Sequence, residues 1–255
     1  MMLNRNLKTS FNRVSEEYDR FRLDYPSGVF DYIISKTEID SKSKILEIGA
    51  GSGIASVEFA KRGFPLTLID PSEELLSIAK KKLSGYRNIE FLTGLFEDME
   101  LEPKSCDLIF AAQAFHWIDT AKGLKKVHQL LKDNSFFAVF WNLAQREKSE
   151  LLQKIRSLYK KHCPNYHMGE TKKIVSDLLD SGTFQNKESK SFERNISFSK
   201  EKYVQMIQTY SWVASLPEDK KISLLADLTK LLVQYQEPLE IPYETLLVVV
   251  QKQKQ

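Results

Sequence analysis

Between residues 44 and 142 short apolar runs of β-like composition alternate with stretches whose apolar residues recur at helical spacing. The runs "KILEIG" (44–49), "PLTLID" (65–70), "NIEFLTG" (88–94), "CDLIFAAQA" (106–114) and "SFFAVFWN" (135–142) read as strands. Residues 53–62 follow a helical pattern through Ile54, Val57, Phe59 and Ala60, and another helix is predicted near 120–132. In 71–83, Ser72 is placed as an N-cap, Glu73 and Glu74 in the first turn, and three lysines in the last, which suits the helix dipole. Strands that alternate with helices imply βαβ units and a parallel sheet, so the expected fold is α/β and doubly wound.

After residue 146 the rhythm changes. Helices are predicted over 147–162, 170–181, 200–214 and 217–236, and only "SFERNISF" (191–198) and "YETLLVVVQ" (243–251) read as strands. The last strand follows a helix directly and is expected to enter the sheet antiparallel at its edge. No Gly/Ser linker, repeat or low-complexity segment interrupts the chain, which predicts one domain over 1–255. Its expected parts are lid helices in 1–43, a ligand-binding core in 44–142, and a helical cap with the last two strands in 143–255.

The turn after the first strand, "EIGAGSG", carries the first candidate chemistry. A glycine-rich turn between strand and helix sits at the carboxyl end of the sheet, where open α/β folds bind ligands. The dinucleotide pattern GxGxxG fails in both frames, since Gly49 and Gly51 lead to Ile54, and Gly51 and Gly53 lead to Ser56. The Walker A pattern fails too, because no GK[ST] follows. What remains is an acid followed by alternating glycines: Glu47, Gly49, Gly51 and Gly53, with Ala50 between the first two glycines.

That pattern resembles the first motif of the class I methyltransferases that use S-adenosylmethionine. The chemistry is consistent, since a carboxylate at the strand end repels a pyrophosphate but attracts the ammonium and sulfonium of S-adenosylmethionine. The resemblance implies a seven-stranded, mostly parallel sheet with an antiparallel last strand and extra helices forming a lid. It makes Asp70, followed by Pro71, the acceptor of a ribose diol, because a carboxylate accepts from two adjacent hydroxyls. "TGLFEDME" (93–100) is similar to the family's adenine-side loop, with Phe96 at a small-residue position, Glu97 as its acid, and Leu95 where many relatives carry an aspartate.

"DLIFAAQAFHWID" resembles the small-molecule branch that includes trans-aconitate methyltransferase, where a His-Trp pair follows the strand. The likeness implies that Ala111 and Gln113 lie against the methionine part of the cofactor and that His116 and Trp117 face the acceptor. "EEYDRFRLDYP" (16–26) resembles the N-terminal lid, with Tyr18, Arg22 and Tyr25 facing inward, although relatives carry R-P-x-Y-P. "YSWVASLPED" (210–219) resembles the pocket roof and "IPYETLLVVVQKQ" the last strand, and Trp141 joins the substrate side.

Methyl transfer from a sulfonium is an in-line displacement with an activated leaving group, so positioning carries most of the catalysis. A hydroxyl or ammonium acceptor needs a base, for which His116 is the candidate. A carboxylate acceptor is already ionised and needs only cationic partners, for which Arg13, Arg22 and Arg194 are candidates. The chain has neither the N/D-P-P-Y motif of amino methyltransferases nor a cysteine after proline. Two other readings are a non-catalytic module or sensor that binds S-adenosylmethionine, and an NAD-dependent oxidoreductase, the latter disfavoured by the missing third glycine.

Composition narrows the partners. Lysine and arginine number 37 against 34 acids with no long run of one sign, which argues against nucleic acid as principal partner and leaves a small molecule. Cys106 and Cys163 lie far apart, so neither a disulfide scaffold nor a metal site is expected. The opening residues lack the apolar core of a signal peptide and no run is long enough to span a bilayer, which predicts a cytoplasmic protein.

Overall fold

Four buried residues in succession, Ile45–Ile48 (β1), place the first strand at the centre of a sheet covered on both faces. The computed structural model describes residues 15–163, 170–180 and 182–254. The other strands are β2 (Leu66–Asp70), β3 (Ile89–Thr93), β4 (Cys106–Ala112), β5 (Leu131–Ala144), β6 (Phe184–Phe198) and β7 (Leu239–Lys252). All seven form one sheet in the order β3-β2-β1-β4-β5-β7-β6. Strands β1 to β5 pair in parallel, and β7 runs antiparallel to both β5 and β6, so the last strand lies inside the sheet and not at the expected edge, which β6 takes by pairing with its free side. The order reverses between β1 and β4, which opens a crevice at their carboxyl ends.

The helices are α1 (Ser15–Phe21), α2 (Ser27–Thr37), α3 (Ser56–Lys61), α4 (Glu73–Leu83), α5 (Thr120–Leu130), α6 (Glu150–His162), α7 (Glu170–Asp180), α8 (Lys200–Gln208), α9 (Ser211–Ala214) and α10 (Glu218–Leu232). Ser72 caps α4 as its sequence predicts, its hydroxyl accepting from the Leu75 amide at 3.2 Å. On one face of the sheet Leu68, Leu108, Phe110 and Phe140 pack against Val29, Phe30 and Ile33 of α2 and Phe59 of α3. On the other, Ile48, Ile109, Val139 and Trp141 pack against Val127 of α5 and Leu178 of α7. A third cluster joins α6, α8 and α10 to the start of β7 and forms the cap.

The expected helix over 200–214 is two pieces. Thr209 turns its hydroxyl back onto the Met206 carbonyl at 2.7 Å, and Tyr210 adopts an extended backbone that leaves the helix. Both late strands are longer than expected, because the polar residues 185–190 of an exposed edge strand hide its start from a hydrophobicity pattern. Arg13 lies outside the described residues. No helix among the described residues is long and apolar enough to cross a membrane.

The turn after β1 is tied to the end of β2, since the amides of Gly49 and Ala50 both donate to the Ile69 carbonyl at 2.8 and 3.0 Å. Gly49 has φ +69°, and a Cβ there would stand 2.4 Å from the Cβ of Ala114, on the chain leaving β4. Gly49→Ala combines left-handed strain with a clash against a side chain that has no rotamer to yield. It is expected to cost about 2–4 kcal/mol of stability, read from denaturant unfolding.

Candidate active site

An open cleft lies at the carboxyl ends of β1, β2 and β4. Gly49 and Gly51 floor it, Asp70 and Pro71 stand at one side, and Gly94 to Glu97 line another. Gln113 and Trp117 close it from the loop after β4, and Tyr18 covers it from α1. Ile48, Ile69 and Leu75 give it apolar wall that the sequence pattern did not single out.

Asp70 is 7% exposed and accepts two backbone amides, one carboxylate oxygen from Gly51 and the other from Ser72, each at 2.8 Å. Burial pushes its pKa up to about 6, and the amides of Ser72 and Gly51 oppose that rise. A carboxylate has about four lone-pair sites, so acceptor capacity remains for a ligand that donates hydroxyls. The chain turns here because Asp70 ends the buried strand and begins the D-P-S turn that leads into α4.

Glu47 is placed differently. It belongs to β1, and its side chain points away from the cleft to the α3 side, where the Ser56 hydroxyl donates to it. It is 1% exposed and is not part of the cleft wall. Burial pushes the carboxyl up to about 8; the Ser56 hydrogen bond lowers it and the nearby Asp70 raises it further. Ala111 is fully buried within β4 and also stands outside the cleft.

Phe96 is buried and opens a single 3₁₀ turn, Phe96–Asp98, whose chain carries Glu97 to the cleft edge. Lys126 of α5 secures that turn by donating to the carbonyls of Phe96, Glu97 and Met99. Its ammonium also sits 5.0 Å from the Phe96 ring centroid. Gly123 allows α5 close approach, since a Cβ there would meet Ile118 at 2.7 Å. This holds the turn Phe115–Trp117 under the helix.

A second, smaller cavity adjoins the first, and Tyr18 and Gln113 line both. Its other walls are Arg22, Leu23, Tyr25, Ile54, Asn142, Met206, Tyr210 and Tyr243. The Arg22 guanidinium is held between the rings of Tyr18 and Tyr210, 4.6 and 4.8 Å from their centroids, and donates to the Thr209 carbonyl at 3.0 Å. Its Nε is buried with no hydrogen-bond partner among the described residues. Tyr25 packs edge-on against Phe140 at 4.9 Å between centroids, and burial raises its phenol well above the ordinary value. Burial does the same to Tyr243.

His116 lines neither cavity. Its ring lies 5.1 Å from that of Trp117, and its Nδ1 is buried without a partner among the described residues. Burial first, and then the Arg22 charge, push it down to about 4. Trp141 is corrected to the core: alternation along β5 sends it to the face covered by α5 and α7, where it is 1% exposed and lines neither cavity. Arg194 reaches the lid from β6 and pairs with Asp24 at 2.7 Å.

Of the expected residues, the fold brings Tyr18, Gly49, Gly51, Asp70, Pro71, Phe96, Glu97, Gln113 and Trp117 to one cleft, and Arg22 and Tyr25 to its neighbour. Gly53, like Ala50, shapes the turn from behind, its amide donating to the Ala50 carbonyl at 2.9 Å. Sequence reasoning missed Asn142, Met206 and Tyr243. Only Asn142 left a signal, as a polar residue ending the apolar run "FFAVFW". Tyr210 fell within the expected roof, but nothing local showed which way its ring would turn.

The model of the family described as a methyltransferase domain matches residues 46–139, from β1 into β5. A methyltransferase-like protein of Schizosaccharomyces pombe is 26% identical over 249 residues, covering 94% of each chain. Among solved structures, a candidate type II methyltransferase of Anaeromyxobacter dehalogenans superposes with TM-score 0.68 at 19% identity, over 91% of this chain and 98% of its own. Phosphoethanolamine N-methyltransferase 2 of Haemonchus contortus, solved with phosphomonomethylethanolamine and S-adenosylhomocysteine, gives TM-score 0.58 at 14% identity over 97% of this chain and 60% of its own. A methyltransferase-domain match over residues 46–139, and similarity along nearly the whole length to a methyltransferase-like relative, together support a class I S-adenosylmethionine-dependent methyltransferase.

Proposed function

We propose that the larger cleft holds S-adenosylmethionine and that the smaller cavity holds a small acceptor bearing a carboxylate, which the enzyme converts to its methyl ester. The whole chain then acts as one domain, with residues up to 43 as lid, 44–142 as cofactor core and 143–255 as cap. Free thiols at Cys106 and Cys163 suit a reducing compartment, and cytoplasm is the reading adopted.

The single observation that carries the acceptor class is Arg22. It is the cation of the smaller cavity's wall, no lining residue there is acidic, and its buried Nε has no partner among the described residues. A carboxylate oxygen satisfies that donor with a charge-assisted bond. The surroundings offer no competent base at neutral pH. His116 is held neutral with a pKa of about 4, and the phenols of Tyr25 and Tyr243 are raised by burial. An acceptor that arrives ionised needs no base.

The residues of the larger cleft fit the cofactor. The glycines let backbone approach closely, Asp70 retains acceptor capacity for a diol, and Phe96 with its 3₁₀ turn offers a flat apolar edge for a base. S-adenosylmethionine supplies an activated methyl group on a sulfonium; as the carboxylate C–O bond forms, the C–S electron pair returns to sulfur and no proton moves. Tyr18 and Gln113, common to both cavities, then flank the path of the methyl group and keep water from it.

Asp70→Ala removes both the ligand acceptor and the anchor of the Gly51 amide, so S-adenosylhomocysteine binding by calorimetry is expected to weaken at least about tenfold. Unchanged affinity would sink the cofactor site. Arg22→Gln is expected to raise the acceptor KM roughly 10- to 100-fold, the loss of one charge-assisted bond. Release of S-adenosylhomocysteine across a panel of small acids, alcohols and amines checks this, and turnover confined to alcohols or amines overturns the ester reading.

Glu47 adds a pH signature. Its folded pKa of about 8 lies above the unfolded value, so the empty fold binds a proton that the unfolded chain releases. Stability of the empty protein therefore falls as pH rises from about 5 to 8. A cationic ligand favours ionised Glu47, so S-adenosylmethionine affinity is expected to climb over the same window, more than that of S-adenosylhomocysteine, which lacks the sulfonium charge. Glu47→Gln should flatten both curves, as read from melts and titrations at pH 6 and 8.

A further inference from the structure

Asn142 ends the buried part of β5 at the wall of the smaller cavity, and its side chain and backbone together join four parts of the molecule. Its Nδ2 donates to the Asp24 carbonyl in the lid at 3.0 Å. Its Oδ1 accepts from the Thr245 hydroxyl of β7 at 2.6 Å. Its backbone carbonyl accepts from Gln113 Nε2 at 3.2 Å, on the loop after β4. Asn142 is 9% exposed and Thr245 is fully buried, so these bonds are shielded from competing water.

The Asp24 carbonyl has a second donor, Arg194 of β6, which also pairs with the Asp24 carboxylate. The residues between α1 and α2 are thus clamped to the sheet from two strands. Leu23 and Tyr25, on either side of Asp24, both line the smaller cavity. Gln113 has φ +54°, unusual for a residue that is not glycine, and its amide donates to the Phe140 carbonyl at 2.9 Å. Both ends of this residue are therefore bound to β5, one through Phe140 and the other through Asn142.

We propose that Asn142 is a positioning residue for methyl transfer: one carboxamide, oriented by Thr245, fixes the lid over the acceptor cavity, while the same residue's carbonyl sets Gln113 between cofactor and acceptor. The proposal rests on the two-cavity reading above. The Thr245 hydroxyl donates to Asn142 Oδ1, which keeps Oδ1 inward and Nδ2 toward Asp24.

Hydrogen exchange and ligand dissociation test this with Asn142→Leu, which keeps the volume and removes the carboxamide. Exchange at the Arg22 amide, which donates to the Tyr18 carbonyl at 3.0 Å at the start of the lid turn, is expected to quicken about five- to tenfold, with the amides of β5 and β7 still protected. S-adenosylhomocysteine should dissociate faster by a similar factor, because Tyr18 rides on the same lid. Should the single variant fold poorly, Asn142→Leu with Thr245→Val removes the stranded hydroxyl as well and should behave alike. Thr245→Val alone removes the orienting bond but keeps Nδ2 within reach of the Asp24 carbonyl, so lid exchange and dissociation should shift the same way by a smaller factor, about twofold. Wild-type exchange at the Arg22 amide together with wild-type dissociation after Asn142→Leu, or a larger effect from Thr245→Val than from Asn142→Leu, overturns the proposal. Failure of the wild-type protein to bind S-adenosylhomocysteine instead removes the cofactor reading, while the exchange comparison still decides the role of Asn142.

Discussion

The ligand end of this sheet depends on one buried carboxylate held between two backbone amides. Asp70 ends β2 at the crevice where the strand order reverses, and it can remain there only because the amides of Gly51 and Ser72 compensate its burial. The same two bonds draw the glycine turn toward β2 and start α4 at Ser72. A carboxylate with acceptor capacity left for a ligand is therefore also the brace of the glycine turn. Structure and binding are not separable at this position, since both draw on the lone pairs of one carboxylate.

A second constraint is the sharing of walls. Tyr18 and Gln113 face both cavities, so the two spaces have a common partition built from α1 and a strained loop. Arg22 links that partition to the cap, because its guanidinium lies between Tyr18 of α1 and Tyr210 after α8. Arg22 is the cationic residue among the described residues of the smaller cavity's wall. His116, buried nearby, is affected by the same charge and is held neutral.

Much of the cofactor side was legible along the chain because its residues sit at the ends of strands whose patterns are local. Glu47, the alternating glycines, Asp70 and Gln113 each follow an apolar run, and a parallel sheet brings such ends to one side. The direction of a side chain at such an end was less legible. Glu47 turns beneath the sheet to Ser56, and Trp141 turns into the core, because strand alternation relative to the neighbouring helices decides the face. The acceptor side was barely legible. Its wall combines Tyr18, Arg22 and Tyr25 with Met206, Tyr210 and Tyr243, residues brought together only when β7 returns antiparallel beside β5.

The sequence by itself determined the βαβ core, the turn that excludes a dinucleotide fingerprint, and the acid at the end of β2, since periodicity and spacing are properties of adjacent residues. The tertiary structure decided which of those residues share a cavity, that Arg22 is stacked with an unpaired nitrogen, and that Asn142 ties lid, loop and two strands together. Those arrangements depend on burial and on contacts between segments more than a hundred residues apart, where charge, hydrogen bonding and pKa are set by neighbours that no local pattern names.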